Sequence, residues 1–79
     1  MINNNTTPVT ILIPTGLSNN INVGFIQQGS GDVTFSGSVG VTINTPLSGG
    51  YKIKGINYNG YIEQVGGTNI YQLLGNLKV

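Results

Sequence analysis

A chain of 79 residues holds one domain, and domains this small bury only roughly 60% of the surface their unfolded chain exposes, so the core is marginal. It has no Cys and no His, which removes disulfides and the usual transition-metal sites and leaves association between copies as the expected source of extra stability. Only 6% of residues are charged, namely Asp32, Lys52, Lys54, Glu63 and Lys78; three lysines without an arginine exclude both a nucleic-acid-binding stripe and electrostatic docking on a membrane.

So few charges allow two readings of the surface. Either Asn, Gln, Ser and Thr keep it wetted, or partners cover much of it. No stretch approaches the ~20 apolar residues of a membrane span. The start, Met1 to Thr7, has no basic region followed by an apolar one and does not read as a secretory signal.

Thirteen glycines punctuate runs rich in Val, Ile, Thr, Tyr and Phe. That is the pattern of short strands joined by tight turns, and no window carries a 3.6-residue apolar period. Residues 1–7 are expected to be a flexible polar arm and residues 8–79 a single β domain. Pro8 to Ile13 reads as the first strand of that domain, with Val9, Ile11 and Ile13 on one face and Thr10 and Leu12 on the other. Pro14 ends it or holds it at an edge. A loop over Thr15 to Asn20 leads to a strand over Ile21 to Gln28, with Ile21, Val23 and Phe25 on one face. Gly29-Ser30-Gly31 is read as a turn, Asp32 to Ser36 as a strand, Gly37 to Gly40 as a turn and Gly40 to Asn44 as a strand. After a loop over Pro46 to Gly50, Tyr51 to Ile56 is the next strand, with Lys52 and Lys54 facing outward together.

Asn59-Gly60 between apolar runs is a strong hairpin signal, because both central residues of a type I′ turn need φ > 0. Such a turn places Tyr58 opposite Tyr61. Gly66-Gly67 turns the chain again, Ile70 to Leu74 follows as a strand, and Leu77 to Val79 adds a short last one. Val33-Thr34-Phe35 and Val41-Thr42-Ile43 form a near-repeat, echoed by Val9-Thr10-Ile11. This suits either β-solenoid rungs or plain β-rich composition, and a compact sandwich or roll is favoured. Phe25, Ile26, Phe35, Ile43, Ile53, Ile62 and Leu73 are the expected core.

Acid–base chemistry has little to work with, since Asp32 and Glu63 are the only carboxylate side chains and no His or Cys is present. A glycosidase pair needs a cleft between its carboxylates that a domain this small scarcely provides, and Asp32 follows a Gly-Ser-Gly turn where Asp is a common turn residue. Gly29-Ser30-Gly31 and Gly49-Gly50 lack the helix and Lys-Ser/Thr pair of a phosphate loop. No enzyme, no cofactor and no metal are expected. Tyr51, Tyr58, Tyr61 and Tyr71, interspersed with Asn57, Asn59 and Gln64, are the candidate residues: a ligand-binding patch for glycan or protein, or aromatics completing the core or a seam between subunits.

Four segments carry a family resemblance: Phe25-Ile26-Gln27-Gln28-Gly29-Ser30-Gly31-Asp32-Val33-Thr34-Phe35, then Gly40-Val41-Thr42-Ile43-Asn44, then Tyr51-Lys52-Ile53-Lys54-Gly55, and the closing Thr68-Asn69-Ile70-Tyr71-Gln72-Leu73-Leu74-Gly75-Asn76-Leu77. Together they resemble a small β module of bacteriophage virion proteins, found at the C-terminal end of tail-fibre, head-fibre and related surface proteins. Tyr71 stands where that module more often has Trp, and Asn59-Gly60 is a departure from its pattern. The resemblance implies a non-enzymatic, trimeric component on the outside of a virus particle, and it transfers no receptor-contact residues. Met1 at the start leads to the expectation of a free-standing head-decoration or fibre-like protein. The expectation is therefore an all-β chain, a small antiparallel β-sandwich or β-roll of about 6–8 short strands, assembled as a homotrimer on the virion surface. Its partners would be further copies, other capsid or tail proteins and, as the alternative function, host-surface glycans; nucleic acid and membrane are not among them.

Overall fold

The computed structural model of the chain describes residues 2–16, 22–65 and 69–79. Met1, the loop expected after Thr15, the expected strand start at Ile21 and the Gly66-Gly67 turn lie outside those residues in whole or in part. The strands are β1 (Ile2–Asn3), β2 (Val9–Ile13), β3 (Asn22–Gln27), β4 (Val33–Gly37), β5 (Thr42–Asn44), β6 (Lys52–Ile53), β7 (Asn59–Gln64), β8 (Ile70–Gly75) and β9 (Leu77–Lys78). They build a five-stranded sheet, ordered β1-β3-β7-β8-β5, and a four-stranded sheet, ordered β2-β4-β6-β9. Without the two-residue β1 the body is eight strands in two four-stranded sheets, the upper end of the number expected.

The all-β class stands, but the antiparallel expectation is corrected: both sheets are mixed. β1 runs parallel to β3, β2 to β4 and β5 to β8, while the remaining pairs are antiparallel. From β1 to β7 the chain changes sheet at every step. A parallel pair cannot be closed by a hairpin and needs a crossover. Here β3, in the opposite sheet, is the crossover between β2 and β4. The near-repeat takes its meaning from this topology. Val9-Thr10-Ile11 lies in direct register with Val33-Thr34-Phe35, whereas Val41-Thr42-Ile43 crosses to the other sheet, where Thr42 and Ile43 pair with Ile70 and Tyr71.

The inner faces of the sheets close one core of Ile13, Val33, Phe35 and Ile53 from the four-stranded sheet and Phe25, Ile62, Tyr71 and Leu73 from the five-stranded one. Phe25 and Phe35 meet across it edge to face, with ring centroids 5.3 Å apart, a favoured aromatic geometry. Of the expected core, Ile43 packs at its margin. Ile26 does not belong: it is 41% exposed, because it alternates with Phe25 and Gln27 and so points away from the core.

Asn59-Gly60 is not a turn. Both residues lie in β7, opposite Ile26 and Phe25. A Cβ on Gly60 would come within 2.9 Å of Phe35 Cε2 and 3.1 Å of Ile53 Cγ1, so the glycine clears space for the facing sheet rather than bending the chain. The reversal occurs earlier, where the Tyr58 N–H donates to the Gly55 carbonyl at 3.2 Å and Asn57 takes the left-handed conformation at φ 69° that Asn tolerates. The predicted Tyr58–Tyr61 cross-strand pair therefore does not form.

Residues 2–7, expected as a flexible arm, are laid against the body. Ile2 and Asn3 pair with Ile26 and Gln27, and the Gly31 N–H donates to the Asn5 carbonyl at 3.0 Å. Gly29 and Gly31 are buried beneath this crossing; a Cβ on either would run into the carbonyl of Asn5 or Thr7. The bend is held from below by Gln27, a buried side chain whose Nε2 donates to the Gly29 carbonyl at 3.1 Å.

Candidate interaction surface

The register fixes what each sheet shows to its surroundings. On the four-stranded sheet, Thr10, Thr34, Lys52 and Lys78 form one row across all four strands of the outer face. Asp32, just before β4, accepts from Lys78 Nζ at 2.9 Å. That hydrogen bond holds the Asp32 carboxyl below its ordinary value of 3.8; desolvation opposes it, and the charges of Lys78 and Lys52 add to it. This row is polar and its ion pair is partly exposed, and the exposed Leu12 lies beside it at the β2 edge.

On the five-stranded sheet, Gly24, Tyr61 and Leu74 form a row across β3, β7 and β8, and Ile26 lies diagonal to Tyr61. Gly24 leaves the Tyr61 ring uncovered from that side: a Cβ there would sit 3.7 Å from Tyr61 Cδ2. Leu74 is 37% exposed. The next row, Asn22, Glu63, Gln72 and Asn44, is polar and holds the only charged side chain of these strands. The outer face thus combines an apolar group of Ile26, Tyr61 and Leu74 with amide side chains.

The four tyrosines do not converge. Tyr71, for which the sequence leaves a core, seam or ligand role open, is 0% exposed in the centre of the core and presents nothing to a ligand or a second subunit; its hydroxyl has no hydrogen-bond partner among the described residues. It is buried because β8 runs between β7 and β5 with position 71 facing inward. Tyr61 lies on the outer face just described. Tyr58 is exposed and lies under Lys54, whose Nζ is 5.3 Å from its ring centroid, within cation–π range. Lys54 is past the end of β6, which spans only Lys52–Ile53, so the two lysines do not share the strand face expected of them.

Tyr51 borders an open hollow of about 260 Å³ lined by Phe35, Ser36, Gly37, Val41 and Ile43. Its hydroxyl donates to the Ile43 carbonyl at 3.5 Å. A partly exposed aromatic beside backbone carbonyls and one serine is a surface on which a sugar ring can stack. The sequence pointed to Tyr51 but not to its neighbours here, since the hollow is made where β4 and β5 belong to different sheets.

Comparisons with protein-family models, with curated proteins and with solved structures return no match. The surfaces themselves must carry the functional reading. Among the described residues no cluster of His, Cys, Asp or Glu could hold a metal ion, and no helix is long and apolar enough to cross a membrane.

Proposed function

We propose that this chain is a non-enzymatic structural protein of a bacteriophage virion, displayed on the particle surface as a head-decoration or fibre module and assembled as a homotrimer. The observation that carries the assembly role is the contrast between the outer faces. Charged and hydroxyl side chains form a row across one sheet, with Leu12 exposed at its β2 edge, while the other carries Ile26, Tyr61 and Leu74 beside Gly24. Apolar groups of this kind rimmed by polar side chains mark interaction surfaces. The particle context rests on the resemblance of the four sequence segments. In this reading the five-stranded sheet turns toward neighbouring copies or particle proteins, and the four-stranded sheet toward water.

Light scattering on the purified chain tests it. A mass that is a multiple of three chains supports the trimer, and Leu74→Lys then dissociates it; a monomer or dimer, or a trimer indifferent to that charge, counts against the assembly surface. The alternative reading, recognition of host-surface glycans, draws on Tyr51 and its hollow. Glycan binding abolished by Tyr51→Ala supports it, and no binding by the intact assembly removes it.

A further inference from the structure

β2 is an edge strand with β4 on one side and, among the described residues, no strand on the other. The hydrogen bonds at its two ends fix which groups face which way: the Val9 N–H donates to the Asp32 carbonyl at 2.8 Å, and the Ile13 carbonyl accepts from the Ser38 N–H at 3.0 Å. In a parallel ladder of this register, Val9, Ile11 and Ile13 bond inward to β4. The N–H and C=O groups of Thr10 and Leu12 therefore point to the open edge. Leu12 is 60% exposed. Natural edges are guarded by charge, bulges or proline; Val9–Ile13 carries no charged residue and pairs without a bulge.

What guards it is a pair of prolines, and their placement is symmetric. Pro8 and Pro14 flank the strand three residues either side of Ile11. Carrying the alternation one step past each end puts both in the same phase as Thr10 and Leu12, so that each removes a donor from the open edge. An antiparallel strand laid here finds backbone donors only at Thr10 and Leu12. The one strand that matches with the same two positions, the same spacing and the same stops is β2 of a second copy. Centred on Ile11, Thr10 of one copy faces Leu12 of the other in both halves, each pair exchanging both backbone hydrogen bonds. Ile11 then meets its own counterpart on the core-facing side, and Pro8 faces Pro14, where the ladder stops.

We propose that two copies of this chain pair through β2 about a twofold axis at Ile11, joining their four-stranded sheets into one continuous sheet. The contact is isologous: it consumes the open edge in both copies and closes without propagating. It stands apart from the trimer reading, which uses the other sheet. The wild-type mass by light scattering separates the two, because a dimer satisfies the β2 contact alone, a trimer satisfies the particle reading alone, a hexamer satisfies both and a monomer satisfies neither.

Two substitutions address the contact itself. Thr10→Pro removes an edge-facing N–H that β4 does not use, and Leu12→Lys sets a charge on each side of the axis. Either is expected to halve the solution mass with the melting curve of the folded domain retained. Amide exchange on the unaltered chain is the second readout. Pairing protects the Thr10 and Leu12 amides together with those of Val9, Ile11 and Ile13. An odd-numbered assembly, a mass unmoved by both variants, or fast exchange confined to Thr10 and Leu12 overturns the proposal; in the last case the prolines serve only to keep the edge unpaired.

Discussion

In the five-stranded sheet, β3, β7 and β8 are each six residues long and pair antiparallel side by side. The four-stranded sheet instead ends in β6 and β9, of two residues each, with the Asp32–Lys78 ion pair beside them. Their inner faces bury the same number of apolar side chains, four apiece, with Gln27 buried in addition on the five-stranded sheet. The difference lies outside, where one face carries a charged row with Leu12 exposed at its edge and the other carries Ile26, Tyr61 and Leu74. Folding of a single chain requires matched inner faces and is indifferent to a contrast between outer ones. In the assembly reading proposed above, that contrast separates the sheet turned toward partners from the one turned toward water.

The largest expected effect tests whether the long-stranded sheet also carries the greater share of stability. Leu73→Ala, at a fully buried position in β8, should lower unfolding free energy by about 2–5 kcal/mol. Ile13→Ala, at the end of edge strand β2, should cost less, because an edge relaxes into the space left behind. Equal shifts in urea midpoint would remove the distinction. Tyr71→Phe deletes a buried hydroxyl that lacks a partner among the described residues, and should raise stability by about 1 kcal/mol. A loss of similar size would mean that the hydroxyl is satisfied.

The outer faces are compared by placing the same charge on each. Leu74→Lys and Thr34→Lys should each change folding stability by no more than about 0.5 kcal/mol. Only the first should weaken association, read as solution mass against concentration, and equal behaviour would break the contrast. The smallest effect concerns acid. The Asp32 carboxyl is held below its ordinary 3.8 when folded, so its contribution is present above that value and is lost as pH falls through the depressed folded value. Wild-type melting temperature should fall more steeply than that of Asp32→Asn below about pH 4, and parallel curves would mean that the half-exposed pair contributes nothing.

Much of this fold is legible where side-chain alternation dominates. Val9, Ile11 and Ile13 share one face as read, which proves to be the core side, and the strands around Phe35 and Leu73 lie where their patterns place them. The misreadings share a cause. Gly60 looked like half of a turn, yet it is the gap into which Phe35 and Ile53 fit from the opposite sheet, a partner that no local window contains. The polar arm looked unattached because it has few apolar side chains, but it is held through backbone atoms at Gly29 and Gly31. Tyr71 stands open in the sequence between a ligand patch, the core and a subunit seam because tyrosine suits each location, and only the position of β8 between two neighbours decides for the core. The Tyr51 hollow and the symmetry of the β2 edge emerge only once the sheet order is known.

Because β2 waits for β4, with Val9 matched to Val33, the chain must close a long loop before that parallel pair gains anything. Topologies rich in such distant pairings fold on the order of milliseconds to seconds. Throughout that interval Val9–Ile13 is an uncharged, β-prone segment with both edges open. Yield on refolding should accordingly fall as protein concentration rises, through encounters between chains that have not yet closed the pair.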